Sequence, residues 1–173
     1  MTRKIKYLAL LAAIYLTAPA TYANTNVCLD HTVNTWNVPK SLLLAVHHVE
    51  HGKPGLVSRR NKNGTYDMGP MQFNTSTAAD LKKYGVEKDQ LLNSECVSFY
   101  VAGWKLATSA HQFGNWELAV AAYNCGDGCV GDAIKKLKKT NTAFNSILQL
   151  DIPPKTKMEY VPNVMDAWKR FEN

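Results

Sequence analysis

Residues 38–52, with the sequence VPKSLLLAVHHVEHG, combine a run of apolar residues with a single carboxylate and predict a buried helix. Pro39 suits the first turn, where its missing N–H costs no hydrogen bond, and Gly52 is a stop signal. Helical spacing places Glu50 on the same face as Leu43. Because so apolar a helix is mostly buried, Glu50 is expected at the edge of a core, where a carboxylate needs a partner or a function.

The rest of the chain also has mainly helical periodicity, interrupted by one irregular region. Residues 53–74 are rich in Gly, Asn and Pro and predict a loop, with a small hairpin around Asn63-Gly64. Further helices are predicted at residues 27–36, 75–84, 87–92, 95–114, 116–123, 130–139, 141–150 and 155–171, the last with a kink or boundary at Pro162. The expected fold class is therefore one mainly α-helical domain.

The beginning of the chain has the pattern of a secretory signal. A positive start and an apolar run at residues 7–16 precede small residues that allow cleavage after Ala23, or alternatively after Ala20. The run is short for a transmembrane helix, although an uncleaved anchor is the alternative. We expect a signal peptide at residues 1–23 and one periplasmic domain at residues 24–173.

Charge limits the classes of partner. The full sequence carries +6, and three of these positive charges but no acid lie in the signal, which leaves +3 on the mature chain. A mildly basic protein suits an anionic cell-wall polymer, and an ordinary solvated surface explains the charge equally well. No basic run with interleaved aromatic residues occurs, so nucleic acid is not expected as a partner.

All four cysteines follow the signal, and an even count behind a secretory signal favours two disulfides. Of the three possible connectivities, we favour Cys28–Cys96, tying the chain's start to a long helix, and Cys125–Cys129, closing the small loop CGDGC. The glycines of that loop permit a tight backbone. A four-cysteine zinc site is the alternative, but two close C-x-x-C pairs are lacking.

Glu50 is the first candidate for chemistry. Partial desolvation at the end of an apolar helix would raise its pKa and keep it protonated, ready to act as a general acid on a leaving oxygen. Canonical glycoside cleavage uses a second carboxylate, and Asp67 in the following loop is the nearest candidate. The alternative is a glutamate exposed to water at a helix end.

The same stretch also fits a zinc motif. His47 to His51 matches H-x-x-E-H, in which two histidines at i and i+4 share one metal ion and the glutamate acts as base. No third protein ligand stands out later in the chain, and Gly52 ends the helix directly after His51. Ordinary surface or core positions are therefore favoured for these histidines, and no metal or other cofactor is expected.

A carbohydrate groove is the third candidate. Sugars present apolar ring faces and hydroxyl rims, which aromatic side chains and amides complement. Ordinary packing is the alternative for any one of these residues taken alone. The candidates near loop signals are Tyr66, Met71, Phe73, Tyr123 and Tyr160, with the amides of Gln72, Asn74 and Asn124.

Four segments in order resemble the lysozyme-like soluble lytic transglycosylase family. Residues 39–52 resemble the family's helix that ends in its catalytic glutamate. The other three segments are D-M-G-P-M-Q-F at residues 67–73, A-Y-N-C-G at residues 122–126 and E-Y-V at residues 159–161, which resemble the family's D-x-G-L-M-Q-I, A-Y-N-A-G and late Tyr-Val elements. The resemblance covers most of the mature chain and implies a goose-type lysozyme/transglycosylase fold with an irregular loop or small β-hairpin after the catalytic helix.

The resemblance also implies a mechanism on peptidoglycan. Glu50 would protonate the oxygen between N-acetylmuramic acid and N-acetylglucosamine, and then, as a base, take the proton of the muramoyl C6 hydroxyl. That hydroxyl attacks C1 and closes a 1,6-anhydro ring, while the 2-acetamido group assists. No protein nucleophile is needed, so steadying the loop becomes the preferred role for Asp67.

Roles for the other site residues follow from the same resemblance. Met71 and Gln72 would line the glycan groove, Tyr123 and Asn124 would approach Glu50, and Tyr160 would hydrogen-bond its carboxylate. The sequence departs from the family at three positions: His51 in place of serine, Pro70 in place of leucine, and Cys125 in place of a small residue.

One small exported domain resembles the specialised family members that open the wall for secretion, conjugation or pilus machines. We expect a monomer that binds glycan strands and serves such a machine. The alternatives are a housekeeping wall enzyme, a hydrolytic muramidase using Glu50 and Asp67, and a non-catalytic wall-binding assembly protein.

Overall fold

A computed structural model describes residues 25–173 of the protein, and the predicted signal peptide lies outside the described residues. Helices dominate this range, and one small antiparallel sheet follows the second helix, which confirms the predicted fold class. Of the helices at residues 25–173, none has the length and apolar character that crossing a membrane requires.

The elements follow one another in a simple order. The α-helices and strands are α1 Thr25–Trp36, α2 Lys40–Glu50, β1 Asp67–Met68, β2 Phe73–Asn74, α3 Thr75–Leu81, α4 Lys88–Asn93, α5 Glu95–Phe113, α6 Trp116–Cys125, α7 Asp127–Lys139 and α8 Val161–Glu172. Short 3₁₀ turns lie at Lys82–Tyr84 and Ile147–Gln149, and a π-helical segment lies at Thr156–Tyr160.

The chain divides into two compact units. Among the described residues, the first unit contains residues 25–31 and 50–101, and the second contains residues 32–49 and 102–173. The first unit is tied by the predicted disulfide Cys28–Cys96, with a Cα–Cα distance of 5.0 Å. Nearby, the rings of His31 and Tyr100 stack with centroids 5.5 Å apart. These contacts fix the first turns of α1 against the beginning of α5.

The irregular region of the first unit contains two successive chain reversals. At the predicted turn, Asn61 N–H donates to the Thr65 carbonyl at 2.7 Å, and Gly64 has a φ of 83°. The regular strands, however, pair across the next turn, with Asp67 opposite Asn74. The hairpin prediction was therefore right about the reversal at Asn63-Gly64 and incomplete about the sheet.

The second unit is built around helix α6. Its residues 118–123 are all buried, because the helix packs against α7, α8 and the π-helical segment. Trp168 of α8 donates from Nε1 to Ser41 Oγ of α2 at 2.9 Å. An almost wholly apolar helix in the sequence is thus a central helix of this unit.

Two predicted helix boundaries move by a few residues. Helix α6 continues through Asn124 to Cys125 and ends at Gly126, whose φ is 94°. Helix α7 begins at Asp127, three residues before the predicted start. The predicted disulfide Cys125–Cys129 spans this junction, with a Cα–Cα distance of 5.9 Å.

The helix predicted at residues 141–150 is wrong. Only the 3₁₀ turn at Ile147–Gln149 forms there, and Asn141 has a φ of 57°. The Thr140 hydroxyl donates to the Leu137 carbonyl at 2.7 Å, and Ser146 caps the 3₁₀ turn. Such local side-chain bonds to the backbone compete with helix formation, and they prevail over a weak apolar pattern.

The last predicted helix contains an irregularity just before Pro162. The residues Thr156–Tyr160 form a π-helical segment, in which the Val161 N–H donates to the Thr156 carbonyl, five residues back. Because Pro162 has no N–H to give to the preceding turn, the helix widens there instead of breaking.

Candidate active site

Glu50 is the last residue of α2, at the end of a helix that the core fixes. Leu42, Leu43, Ala45 and Val46 are fully buried, which leaves little freedom for the helix to shift. Glu50 itself is half-buried. The prediction of a carboxylate at the edge of an apolar core is therefore confirmed, and its raised pKa stays a prediction.

The residue after Glu50 leaves the helix at once. His51 is exposed and has a φ of 51°, in the left-handed region that only a few per cent of non-glycine residues adopt. It therefore lies outside α2 and lacks the i, i+4 helical relation to His47 that the zinc hypothesis requires. Within residues 25–173, no three His, Cys, Asp or Glu side chains are grouped as a metal site would need. His48 instead contacts the Phe171 ring edge-on, with centroids 5.8 Å apart.

Gly52 brings the end of α2 against the turn between β1 and β2. A Cβ atom on Gly52 would overlap with the carbonyl oxygens of Pro70 and Gly69. Only glycine permits this close approach of two backbones. The chain after Glu50 is thus packed directly on the segment that resembles the family's D-x-G-L-M-Q-I element.

The turn between β1 and β2 is stabilised by close backbone packing and by hydrogen bonds to the Gly69 carbonyl. Gly69, with a φ of 74°, packs so closely on the Leu91 carbonyl that any side chain would overlap with it. The Gly69 carbonyl accepts two hydrogen bonds from Gln72, one from the backbone N–H at 3.2 Å and one from Nε2 at 2.9 Å. Gln72 has a φ of 47°, so strained backbone occurs on both sides of this contact, at His51 and at Gln72.

The two predicted groove residues of this turn differ in exposure. Gln72 is half-buried, whereas Met71 is fully buried and packs in the core. Phe73, another groove candidate, is also buried. Met71 is part of the core in this structure, and its contact with a glycan stays a prediction.

Asp67 is engaged by the hairpin. Its Oδ1 accepts from Asn74 Nδ2 at 2.8 Å, and its backbone N–H donates to Ser58 Oγ at 2.8 Å. Both bonds join Asp67 to neighbouring parts of the irregular region. This arrangement supports the loop-steadying role that we prefer for this carboxylate.

The second unit places the other predicted residues around the end of α6. Tyr123 is buried, and Lys105 Nζ of α5 lies 5.7 Å from the centre of its ring, within the range of a cation–π contact. Burial lowers the pKa of the Lys105 ammonium, and the charge of Asp127 opposes that shift. Asp127 Oδ1 also accepts from the Ser109 hydroxyl at 2.6 Å.

Asn124 and the π-helical segment are directly bonded. Asn124 is exposed, and its Oδ1 accepts from the buried Thr156 hydroxyl at 2.7 Å. Tyr160, at the other end of the same segment, is 8% exposed. The structure thus brings Asn124 and the Tyr160 segment together. The predicted approach of Tyr123 and Asn124 to Glu50, and the bond from Tyr160 to its carboxylate, stay predictions.

Three residues with specific contacts carry no signal of those contacts in the sequence. Gly52 gives only a helix-stop signal, because its close approach to another segment has no local signature. Lys105 and Thr156 lie in helical patterns where nothing marks them as partners of Tyr123 and Asn124. Side-chain contacts between residues far apart in the sequence cannot be predicted from hydrophobic periodicity.

Comparison with known families identifies the chain. The sequence profile described as "Transglycosylase SLT domain" matches residues 28–145, well over half of the sequence. The chain belongs to the transglycosylase SLT domain family. This SLT protein is a peptidoglycan lytic transglycosylase, and the helical fold with its small sheet is the lysozyme-like fold of the family.

Curated relatives of this SLT protein are similar over most of their length. Invasion protein IagB of Salmonella typhi is 32% identical over 134 residues, which cover 75% of this chain and 82% of the relative. Invasion protein IagB of Salmonella typhimurium is 36% identical over 111 residues, or 63% of this chain and 68% of the relative. Protein IpgF of Shigella sonnei is 34% identical over 100 residues, or 57% of this chain and 65% of the relative.

Proposed function

We propose that this lytic transglycosylase cleaves the MurNAc-β-1,4-GlcNAc bond without water and leaves a 1,6-anhydro-MurNAc end. The proposal rests on the placement of Glu50, half-buried at the end of an apolar helix. Partial desolvation favours the protonated carboxyl, which first protonates the glycosidic oxygen. The resulting carboxylate then accepts the proton of the muramoyl C6 hydroxyl, and that hydroxyl forms the new bond to C1.

Asp67 is left out of this mechanism. Hydrolysis by two carboxylates would use Asp67 as the partner of Glu50. The hydrogen bond that Asp67 accepts from Asn74 supports a role in steadying the hairpin instead. Gln72, Tyr123, Asn124 and Tyr160 bind the glycan in this proposal, and Met71 contributes to the same groove. Their assignment is supported by the resemblance to the family's motifs.

The decisive experiment digests purified sacculi in H₂¹⁸O and analyses the released sugars by mass spectrometry. We expect anhydro-muramoyl ends without ¹⁸O. Reducing muramic ends carrying ¹⁸O would replace the proposal with hydrolysis by Glu50 and Asp67. If neither product forms and the protein stays bound to the sacculi, the result would favour the alternative of a non-catalytic wall-binding role.

Variants assign the acid. Glu50→Gln should lower the rate by at least about 10²-fold, because proton transfer by a positioned acid and base contributes this much or more. Asp67→Asn keeps an Oδ1 acceptor for Asn74 and should retain activity within about threefold. Glu172→Gln, at the exposed end of α8, is the matched control. Full activity of Glu50→Gln would overturn the assignment.

We further propose that the enzyme acts in the periplasm and opens the wall locally for a secretion, conjugation or pilus apparatus. Two disulfides fit an oxidising compartment, and the name "invasion protein" of a relative fits service to an envelope machine. Chromosomal Glu50→Gln should impair the machine while growth and cell shape stay normal. A division or growth defect with a working machine would favour a housekeeping enzyme.

A further inference from the structure

Thr156 is one of the few buried polar residues at positions 25–173. Thr156 is 2% exposed, and a buried hydroxyl without a hydrogen bond is costly. Its partner is Asn124 Oδ1 at 2.7 Å, a side chain 32 residues away on another helix. The bond therefore depends on the tertiary packing of α6 against the segment Thr156–Tyr160 and does not arise from local chain geometry.

The backbone at Thr156 is also unusual, because it is π-helical. It begins the π-helical segment, and its carbonyl accepts from the Val161 N–H across five residues. Single π-helical turns are rare and occur frequently at functional sites. The widened turn, which Pro162 favours, sets the position from which Thr156 reaches Asn124.

The hydrogen bond from Thr156 sets the orientation of the Asn124 side-chain amide. A side-chain amide has an acceptor oxygen and a donor NH₂ group, and either can face a ligand after rotation. With Oδ1 accepting from Thr156, the NH₂ group is the part left for other partners. Asn124 is exposed, and within residues 25–173 this NH₂ makes no hydrogen bond. A glycan presents carbonyl and hydroxyl oxygens that such a donor can bind.

We propose that Thr156 is a positioning residue, which fixes the Asn124 amide so that its NH₂ donates to an oxygen of the bound glycan. This inference rests on the proposed binding role of Asn124. Thr156 itself does not touch the substrate. Its hydroxyl selects one of the two amide orientations before the glycan arrives and so removes an ordering cost from binding.

Binding is measured with the protein purified after export and a soluble GlcNAc–MurNAc tetrasaccharide. The Glu50→Gln background prevents turnover, so calorimetry reports affinity whether or not the native enzyme forms anhydro ends. Thr156→Val removes the hydroxyl at nearly constant volume and should raise Kd about 3- to 10-fold, the usual effect of one hydrogen bond. Thr156→Ser restores the hydroxyl and should bind within twofold of the parent.

In the active enzyme, the same substitution should change KM and leave kcat nearly unchanged. Thr156→Val should raise KM by a similar factor with kcat within twofold, because the bond acts on the ground state and the transition state alike. Thr142→Val, an exposed threonine outside this contact, controls for the exchange itself. Thermal melts of all variants exclude unfolding as the cause.

A double-mutant cycle decides whether Thr156 acts through Asn124. Asn124→Ala should weaken binding at least as much as Thr156→Val, and adding Thr156→Val to it should have no further effect. An unchanged Kd in Thr156→Val, or a full additional loss in the double variant, would overturn the inference. Absence of anhydro ends from the native enzyme would overturn the proposed function instead and would leave this binding result standing.

Discussion

The end of helix α2 gives three consecutive residues separate tasks. Glu50 is half-buried and carries the proposed proton transfers, His51 turns the chain through a left-handed conformation, and Gly52 allows contact with the next segment. His51 takes the place where the family has serine, and its φ of 51° costs on the order of 1 kcal/mol. Gln72, across the contact, is strained in the same way. Strain on both sides of one contact is typical of active sites, where surrounding structure overdetermines the backbone.

Gly52→Ala tests the contact between Gly52 and the turn at Gly69. The added Cβ overlaps with two carbonyl oxygens, so backbone must move, and we expect a loss of about 2–4 kcal/mol and a Tm lower by about 5–10 °C. Activity on sacculi should fall more than tenfold, because Glu50 is two residues away. Gly128→Ala is the control, since its Cβ would meet nothing within 4 Å. A Tm within 1 °C of the native protein would show that the contact is not constraining.

Glu117 makes stability depend on pH. Burial raises the pKa of this carboxyl above its ordinary value of 4.5, so the folded protein binds its proton more tightly than the unfolded chain. The associated stabilisation is present below the unfolded pKa and is lost as the pH rises through the folded pKa. We therefore expect Glu117→Gln to melt above the native protein at pH 7 and together with it below pH 4.

Melting curves at a series of pH values check the behaviour of Glu117, with Glu172→Gln as the control on an exposed carboxyl. A difference between native protein and Glu117→Gln that grows as the pH falls would contradict the sign of the shift.

At the scale of elements, periodicity predicted helices well where an apolar face is buried. Helix α6 and the capped ends of α3 and α5 lie close to the predicted positions, since Asn74 and Ser94 accept from backbone N–H groups as expected. The segment 141–150 failed because Thr140 and Ser146 bond to nearby backbone, which no periodic pattern records. Pro162 marked a boundary in the sequence, but whether the helix breaks, kinks or widens depends on its packing partners.

Only those residues of the candidate site that have a local sequence signal could be predicted. Glu50 could be found because a charge in an apolar run is anomalous. The Cys125–Cys129 pair could be favoured because the glycines of the loop CGDGC permit a tight backbone. Thr156 and Lys105 could not be found, since a hydroxyl or an ammonium on a helix gives no sign of what another helix brings to it.

The two disulfides constrain loops of very different size, with sequence separations of 68 for Cys28–Cys96 and 4 for Cys125–Cys129. Loop-closure entropy predicts that removing the first costs about 4 kcal/mol and the second about 2 kcal/mol. Guanidinium unfolding of the two paired Cys→Ala variants measures this difference. If removing Cys125–Cys129 costs as much free energy of unfolding as removing Cys28–Cys96, or more, the short disulfide stabilises α6 and α7 by more than loop-closure entropy.

At the scale of the whole molecule, charge sets how the enzyme meets an anionic wall. Without the predicted signal peptide the chain carries only +3. Two lysines of its basic helix α7, Lys135 and Lys136, form exposed ion pairs with Asp132 and Asp151. Few uncompensated charges remain to attract a polymer over distance, and salt screens exposed charges within about 10 Å at 0.1 M. Raising NaCl from about 50 to 300 mM should therefore weaken sedimentation with sacculi only about two- to fourfold. Loss beyond tenfold would mean that electrostatic attraction, and not the proposed glycan groove, dominates association with the wall.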